Sequence, residues 1–406
     1  MTIKSLLLGS AAALVAVTGA RAADAVVVAE PEPVEYVRVC DTYGAGFFYI
    51  PGTETCLRIS GYVRYQIGSE NYTGGVIDPD TGEVSGSTPD FLTYGAYPNQ
   101  EGWLKQTRAR VNFDARSETE WGLLRGYIRF QASWGDPFVL DDFGGLTGSN
   151  PFADGPVVTD QAYLDLGGFR AGYTESAWVE SQKAGLAVYG SHSWGSMSYG
   201  DAQRHQMGYS FGSAEGFALT ISLEDDALEG RGYVPDVVGV ASYNQSWGAV
   251  WAKLGWEDDI TGTLDIPGAE HESGWGAQVG MQWNIPNAPG SSLRLLGFYA
   301  NSDTRFGVVS PILAITGGNG GAEWSILGSY YHQFTDKFGA SVGAQYFNNF
   351  YAGGSDETLD LSGYEAEIAL AWTPVTNFEI RTEVYYDKIE DLDGSVSGFL
   401  RFTRDF

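Results

Sequence analysis

An all-β fold, a transmembrane antiparallel β-barrel of about 16 strands with an infolded constriction loop, is what three features of this sequence predict. Polar and apolar residues alternate residue by residue in segment after segment from Leu57 onward. Short turns and long polar loops alternate as the connections between those segments. Aromatic residues gather at the segment ends, as Tyr65, Trp121, Trp134, Trp256, Trp275 and Trp372 do. Composition removes the competitors. Aromatics make up 14% of the 406 residues, which excludes a disordered chain. Fifty-one acids against 23 bases give a net charge of −28, so nucleic acid is excluded as a partner. No run beyond the N-terminus approaches the ~18 apolar residues of a spanning helix. Two cysteines are too few to staple a chain of this length.

The first residues are an address. Lys4 supplies a positive start, Leu6 to Val17 is an uncharged apolar stretch, and Ala20-Arg21-Ala22 is a small-residue cleavage site. A signal peptide is therefore expected over residues 1–22, cut between Ala22 and Ala23. Residues 23–56 form an acidic N-terminal segment, punctuated by Glu30, Pro31, Glu32, Pro33 and Glu35 and ending in the loop between Cys40 and Cys56. In an oxidising periplasm these two cysteines point to a disulfide, with two free buried thiols as the alternative. Four scattered histidines and two cysteines show no metal-ligand spacing, so neither a metal nor another cofactor is expected.

Residues 57–406 carry the strands. In Leu57 to Ile67 the odd positions are apolar or small and the even ones mostly polar. Thr107 to Arg116 places Arg108, Arg110, Asp114 and Arg116 on one face. Leu124 to Ala132 sets Arg125, Tyr127, Arg129 and Gln131 against Leu124, Ile128 and Phe130. Tyr364 to Trp372 and Phe378 to Val384 repeat the pattern. A 3.6-residue period would scramble both faces, so these are strands. Gly167-Gly168, Pro286 to Gly290, Thr335 to Lys337 and Pro374 to Asn377 are the short turns. Ser69 to Gly102, Asp258 to Glu272, Ser302 to Glu323 and Asn348 to Gly363 are the long loops.

A soluble sandwich would alternate too, because one face of each sheet packs a core. Three features favour the barrel. Glycine and alanine interrupt the apolar faces (Gly61, Ala109, Gly126), the aromatics sit where membrane interfaces favour them, and Gly398 to Phe406 is one more alternating strand. A barrel of about 16 strands is too wide for side chains to fill and must hold water.

Residues 135–160 stand out. Asp136, Asp141, Asp142, Asp154 and Asp160 occur there with no base, beside Phe138, Val139, Leu140, Phe143 and Phe152. A long loop with apolar anchors can pack back on a wall, so this stretch is the expected constriction loop; an outward lid or partner-binding loop is the alternative. The neighbouring strands supply the opposite sign on their polar faces, with Arg58, Arg64, Arg108, Arg110, Arg125 and Arg129 as the expected pore wall, joined by Arg116 and Arg170. Acids facing guanidiniums would set a transverse field across the pore. Pairing of these arginines with Asp114 and Asp165, as simple bracing, competes with that role. Gly208-Tyr209-Ser210-Phe211-Gly212 matches a nucleophile elbow, but no helical pattern follows it, so no catalysis is expected. Asp78 to Glu83 resembles a calcium loop and fails its ligand spacing.

The chain is similar to the alphaproteobacterial general porins, of rhizobial and Brucella type. The residues that carry the likeness are Lys4 to Ala13, Val34 to Asp41, Tyr43 to Arg58 followed by Gly61 to Tyr65, and the closing Arg401-Phe402 with Arg404 and Phe406. The resemblance implies a homotrimer of barrels in the bacterial outer membrane, among lipid and lipopolysaccharide, passively admitting small hydrophilic solutes and ions. It also implies an infolded third loop, matched by position and acidity to 135–160. A substrate-specific channel with a saturable solute site is the nearest alternative, and a secreted β-sandwich adhesin a more distant one.

Overall fold

The computed structural model describes residues 38–71, 75–77, 84–87, 104–134, 157–179, 190–193, 197, 203–213, 215–225, 233–261, 272–308, 319–391 and 394–406. Sixteen long strands build the wall: β1 (Cys56–Asn71), β2 (Leu104–Thr119), β3 (Gly122–Trp134), β4 (Val158–Leu166), β5 (Phe169–Glu175), β6 (Gln203–Gly212), β7 (Gly216–Asp225), β8 (Asp236–Gln245), β9 (Gly248–Glu257), β10 (Gly274–Asn284), β11 (Ser292–Ala300), β12 (Ala322–Thr335), β13 (Phe338–Phe350), β14 (Gly363–Val375), β15 (Phe378–Ile389) and β16 (Ser395–Asp405). Each pairs antiparallel with its sequence neighbours. The last closes on the first, from Val396↔Asn71 to Asp405↔Tyr62. Gly61 and Phe406 seal that seam by exchanging backbone hydrogen bonds of 2.9 and 3.0 Å. Closure leaves no edge for another chain to extend. The barrel expected from alternation is the barrel observed. Among the described residues the helical content is one 3₁₀ turn, Asp41–Tyr43, and no helix is long and apolar enough to cross a membrane.

Burial runs opposite to that of a water-soluble protein, and this decides between barrel and sandwich. On β7, Phe217, Ile221 and Leu223 are 58%, 47% and 42% exposed, while Thr220 and Ser222 are fully buried. On β1, β3, β9 and β14 the outward side chains are likewise Ile59, Val63, Leu124, Ile128, Val250, Leu254, Ile368 and Leu370. An outward apolar band around a polar interior is stable in hydrocarbon and costly in water.

The turns follow from local chemistry. Gly167 adopts φ of 58°, and a Cβ on Gly168 would lie 2.4 Å from the Ser210 carbonyl oxygen, so only glycine fits this β4–β5 turn. Asn377 takes the left-handed conformation, φ 60°, in the β14–β15 turn. Pro374 falls at a register shift between Trp372 and Val375, where its missing N–H costs no ladder bond.

Before β1, Cys40 and Cys56 are joined, with Cα atoms 6.0 Å apart. The loop they close buries Phe47 between the two cysteines, and its Phe48–Tyr49 strand pairs with the start of β1. The Gly75–Ile77 and Val84–Ser87 segments form a small hairpin of their own. Residues 1–37, and with them the expected cleavage site at Ala22 and Ala23, lie outside the described residues. So does Asp78 to Glu83. Gly208 to Gly212 is strand β6, with Ser210 Oγ 2.8 Å from Thr220 Oγ1, so the nucleophile elbow has no structural counterpart.

Candidate functional site

The lumen has two unlike walls. From β1 to β5 it is charged and arginine-rich. Even-numbered residues of β1 and β2 and odd-numbered residues of β3 face inward, as their alternation requires. Asp114, 1% exposed, lies under three guanidiniums: Arg116 at 2.8 Å, Arg125 at 2.9 Å and Arg58 at 3.7 Å. Arg170 holds Asp165 at 2.6 Å, and Arg125 reaches the same carboxylate at 3.6 Å. Arg129 contacts Asp160 at 3.1 Å and Glu175 at 3.5 Å, while Arg110 lies 3.6 Å from Asp160. Arg108 Nε donates to Ser133 Oγ at 2.8 Å, and Arg64 Nη2 to Gln106 Oε1 at 3.3 Å.

Aromatic faces stiffen the cluster. Tyr127 and Tyr163 stack at 5.1 Å, with Arg125 over the first at 4.8 Å and Arg170 over the second at 4.2 Å. Phe47 of the disulfide loop carries Arg58 and Arg116 at 4.9 and 5.0 Å. Cation–π contacts of this kind fix guanidinium planes that would otherwise swing in water. In this network Arg58, Arg110, Arg116, Arg125, Arg129 and Arg170 face Asp114, Asp160, Asp165 and Glu175, leaving positive charge in excess. Much of it opens on a cavity of about 480 Å³, lined by Arg58, Arg116, Arg125, Arg129 and Arg170 among others.

Asp160 belongs to strand β4, not to a loop. The register runs Arg129↔Gln161 and then Phe130↔Thr159, so Asp160 is the unpaired residue of a bulge. A bulge re-aims a side chain, and here it swings the carboxylate onto the arginine face beside Gln161. Asp136, Asp141, Asp142 and Asp154 lie outside the described residues.

Inward-folded chain is present, in the connection between β5 and β6. Its described residues are Ser176–Val179, Gly190–Ser193 and Met197. The Ala177 N–H donates to Glu224 Oε1 at 2.8 Å, and the Trp178 carbonyl accepts from Lys253 Nζ at 2.5 Å. His192 bridges Ser329 Oγ at 2.6 Å and Ser292 Oγ at 2.8 Å. Arg294 donates to the Ser191 carbonyl at 2.5 Å, and Ser193 Oγ to Glu367 Oε2. One segment thus touches β7, β9, β11, β12 and β14, all through the face opposite their lipid-directed side chains. Only a position inside the barrel allows that. Burial, and next the Arg294 charge, push the His192 pKa down to about 3, so the ring is neutral and serves as one donor and one acceptor.

Beneath this segment the second wall carries an apolar patch among its polar side chains. Val238, Val240, Trp251, Leu296, Phe298, Leu327 and Phe347 point inward and cluster with Ala177, Trp178 and Met197. Trp178 meets Phe306 edge-on at 5.8 Å. The expected water-filled lumen thus includes a stretch of apolar wall covered by the infolded chain. The signal for the dry part was the run Val237-Val238-Gly239-Val240, apolar on both faces where a lipid-and-water strand would alternate. Counted along the barrel, 135–157 is the second long connection and 176–202 the third; of the expected constriction loop, residues 135–156 lie outside the described residues.

The porin subfamily model matches residues 24–398. Porin Omp2b of Brucella canis is 33% identical over 430 aligned residues, covering all of both chains. Porin Omp2a of Brucella ovis is 40% identical over 275 residues, 64% of this chain and 72% of its own length. Among solved structures, the outer membrane channel DcaP of Acinetobacter baumannii has a TM-score of 0.58 at 13% identity, covering 88% of this chain and 99% of that one. A loop-deletion mutant of the outer membrane protein OmpT of Vibrio cholerae has a TM-score of 0.54 at 11% identity, covering 87% and 100%. These structures share the fold, and the curated relatives fix the kinship. With its closed barrel, lipid-directed apolar band and charged lumen, this chain belongs to the porin subfamily of outer-membrane channels.

Proposed function

We propose that this porin passes small hydrophilic solutes and ions by passive diffusion, through a lumen narrowed by infolded chain and crossed by a field from the β1–β5 arginines. The observation that carries this reading is the guanidinium excess along one side of a lumen whose chain as a whole has a charge of −28. Charges ~10 Å apart across water remain partly unscreened at physiological ionic strength. Such a field orders dipolar solutes and penalises apolar ones, while cations and anions follow opposite sides. The acids Asp136, Asp141, Asp142 and Asp154 supply the negative side in this proposal. Neutralising Asp141 and Asp142 is expected to shift selectivity toward anions; unchanged reversal potentials would assign the negative side to other residues.

The acidic excess gives the whole pore a mild cation preference. Reversal potentials of single channels in a salt gradient test it, and anion preference would overturn it. We further propose that the chain is cleaved between Ala22 and Ala23, assembles as a homotrimer and contacts lipopolysaccharide, in keeping with its family. The cavity among Arg58, Arg116, Arg125, Arg129 and Arg170 favours one second reading, a saturable site for a solute. Concentration-dependent current block by a small solute would establish it.

A further inference from the structure

We propose that the lumen-facing carboxylates Glu365 and Asp387 form a site for a partly hydrated divalent cation, Ca²⁺ or Mg²⁺, at the long-loop rim of the pore. Glu365 of β14 and Asp387 of β15 are directly paired across the ladder. Both lie on the face opposite the outward-pointing Tyr364 and Tyr386, whose rings meet at 6.0 Å. Directly opposed side chains on one face have Cβ atoms ~4.5–5.5 Å apart, and like charges there repel. Glu367, two residues further along β14 on the same face, adds a third acid whose charge Glu365 also feels.

Among the described residues no cation offsets these charges. Asp387 is 8% exposed and Glu367 2%, and Asp387 Oδ1 and Glu367 Oε1 are buried without a hydrogen-bond partner. The other Glu367 oxygen accepts from Ser193 Oγ. Gln345, beside Glu365 on β13, gives its amide to Ser325 Oγ at 2.8 Å. Arg381, on the same face of β15, is committed to Glu379 at 2.8 Å and Glu383 at 3.2 Å. Lys388 follows Asp387 but alternates to the outer face, opposite Tyr364.

Burying opposed ionised carboxylates without a counter-charge is strongly unfavourable. A divalent cation between two opposed carboxylates removes that cost. Such ions accept one or two carboxylates and keep water in their remaining positions. Among the described residues no group of three acidic, histidine or cysteine side chains could hold a metal. The ion therefore stays largely hydrated and exchanges readily, with affinity in the ~0.1–1 mM range of weak oxygen-ligand sites. Occupancy would neutralise acids at the pore mouth and lower the cation preference.

The test is calorimetric titration of the purified full-length protein in detergent with CaCl₂ and MgCl₂, using wild type, Asp387→Asn, Glu365→Gln and Glu215→Gln. Glu215 is exposed in a short turn at the opposite rim. The expected result is one saturable site, weakened about tenfold in Asp387→Asn and Glu365→Gln and unchanged in Glu215→Gln. Circular dichroism checks that each variant is folded; should Asp387→Asn fail to fold, wild type and Glu365→Gln still decide. Absence of saturable binding in wild type overturns the proposal. So does binding of equal strength in the folded Glu365→Gln variant, or a response to pH alone, which would mean that the pair shares a proton. Calorimetry does not depend on conduction, so failure here is separable from failure of the diffusion mechanism.

Discussion

Asp114→Asn is the sharpest probe of the basic wall. The carboxylate is 1% exposed and is shared by Arg58, Arg116 and Arg125, whose side chains are 38%, 22% and 18% exposed. Breaking a fully buried pair costs about 3–5 kcal/mol, but these guanidiniums reach lumen water, so about 1–2 kcal/mol is expected here. The electrical effect is separate. An ion passing ~7 Å from the lost charge changes its interaction by about 0.25 kcal/mol, with the dielectric of water and a Debye length of ~8 Å. That factor of ~1.5 disfavours cations and favours anions alike, so the cation-to-anion permeability ratio should fall about twofold. Reversal potentials of reconstituted channels in a KCl gradient measure it. A folded Asp114→Asn channel with an unchanged ratio would show that these arginines do not face the ion path.

Three further outcomes follow from the structure. His192 is held neutral while attached to Ser292 and Ser329, with its pKa near 3, whereas a released imidazole titrates near 6.5. Attachment is thus fully stable above pH ~6.5 and weakens as pH falls toward 3, by about 2 kcal/mol at pH ~5. Channel noise or Trp178 fluorescence should change over that window in wild type and not in His192→Gln. Removing the Cys40–Cys56 bond, whose partners are 16 residues apart, by the double serine substitution should lower unfolding stability by about 3 kcal/mol in denaturant titrations; a change near zero would mean that Phe47 packing alone holds the loop. Ile221→Lys, on the outward face of β7, should cost about 2–4 kcal/mol if that position lies near the bilayer midplane, and a neutral effect would contradict a lipid-facing assignment.

Much of the wall was legible in the sequence, because a period of two admits no other regular structure and because each strand faces one of two fluids. Arg58, Arg110, Arg125 and Arg129 could be placed on one face by counting alone, and the structure brings them to one side of the lumen. Their partners were less legible. Asp165 and Asp114 follow from parity, whereas Asp160 reaches the same face only through a bulge that periodicity does not reveal. Harder still to read was the infolding of the β5–β6 connection. Residues 176–202 combine apolar anchors with glycines, as 135–160 do, and local composition does not say which strands Ser176–Val179 and Gly190–Ser193 pack against. The inward Val238, Val240, Leu296 and Phe298 mark the wall that needs a cover. Their meaning emerges only when strands distant in sequence are assembled side by side. The carboxylate pair Glu365 and Asp387 is of the same kind, since its opposition depends on cross-strand register.

The claim on which the rest depends is that alternate residues of one strand meet hydrocarbon and electrolyte. Single cysteines at Ile59, Ser60, Tyr62 and Val63 of β1, probed in lipid vesicles with a charged, water-soluble thiol reagent, test it directly. Ile59 and Val63 are 46% and 52% exposed on the outer face, and Ser60 lines the lumen cavity. Modification of the Ser60 and Tyr62 positions, with protection of Ile59 and Val63 by lipid, is the result this structure requires. Equal reactivity at all four, or the reverse alternation, would contradict it.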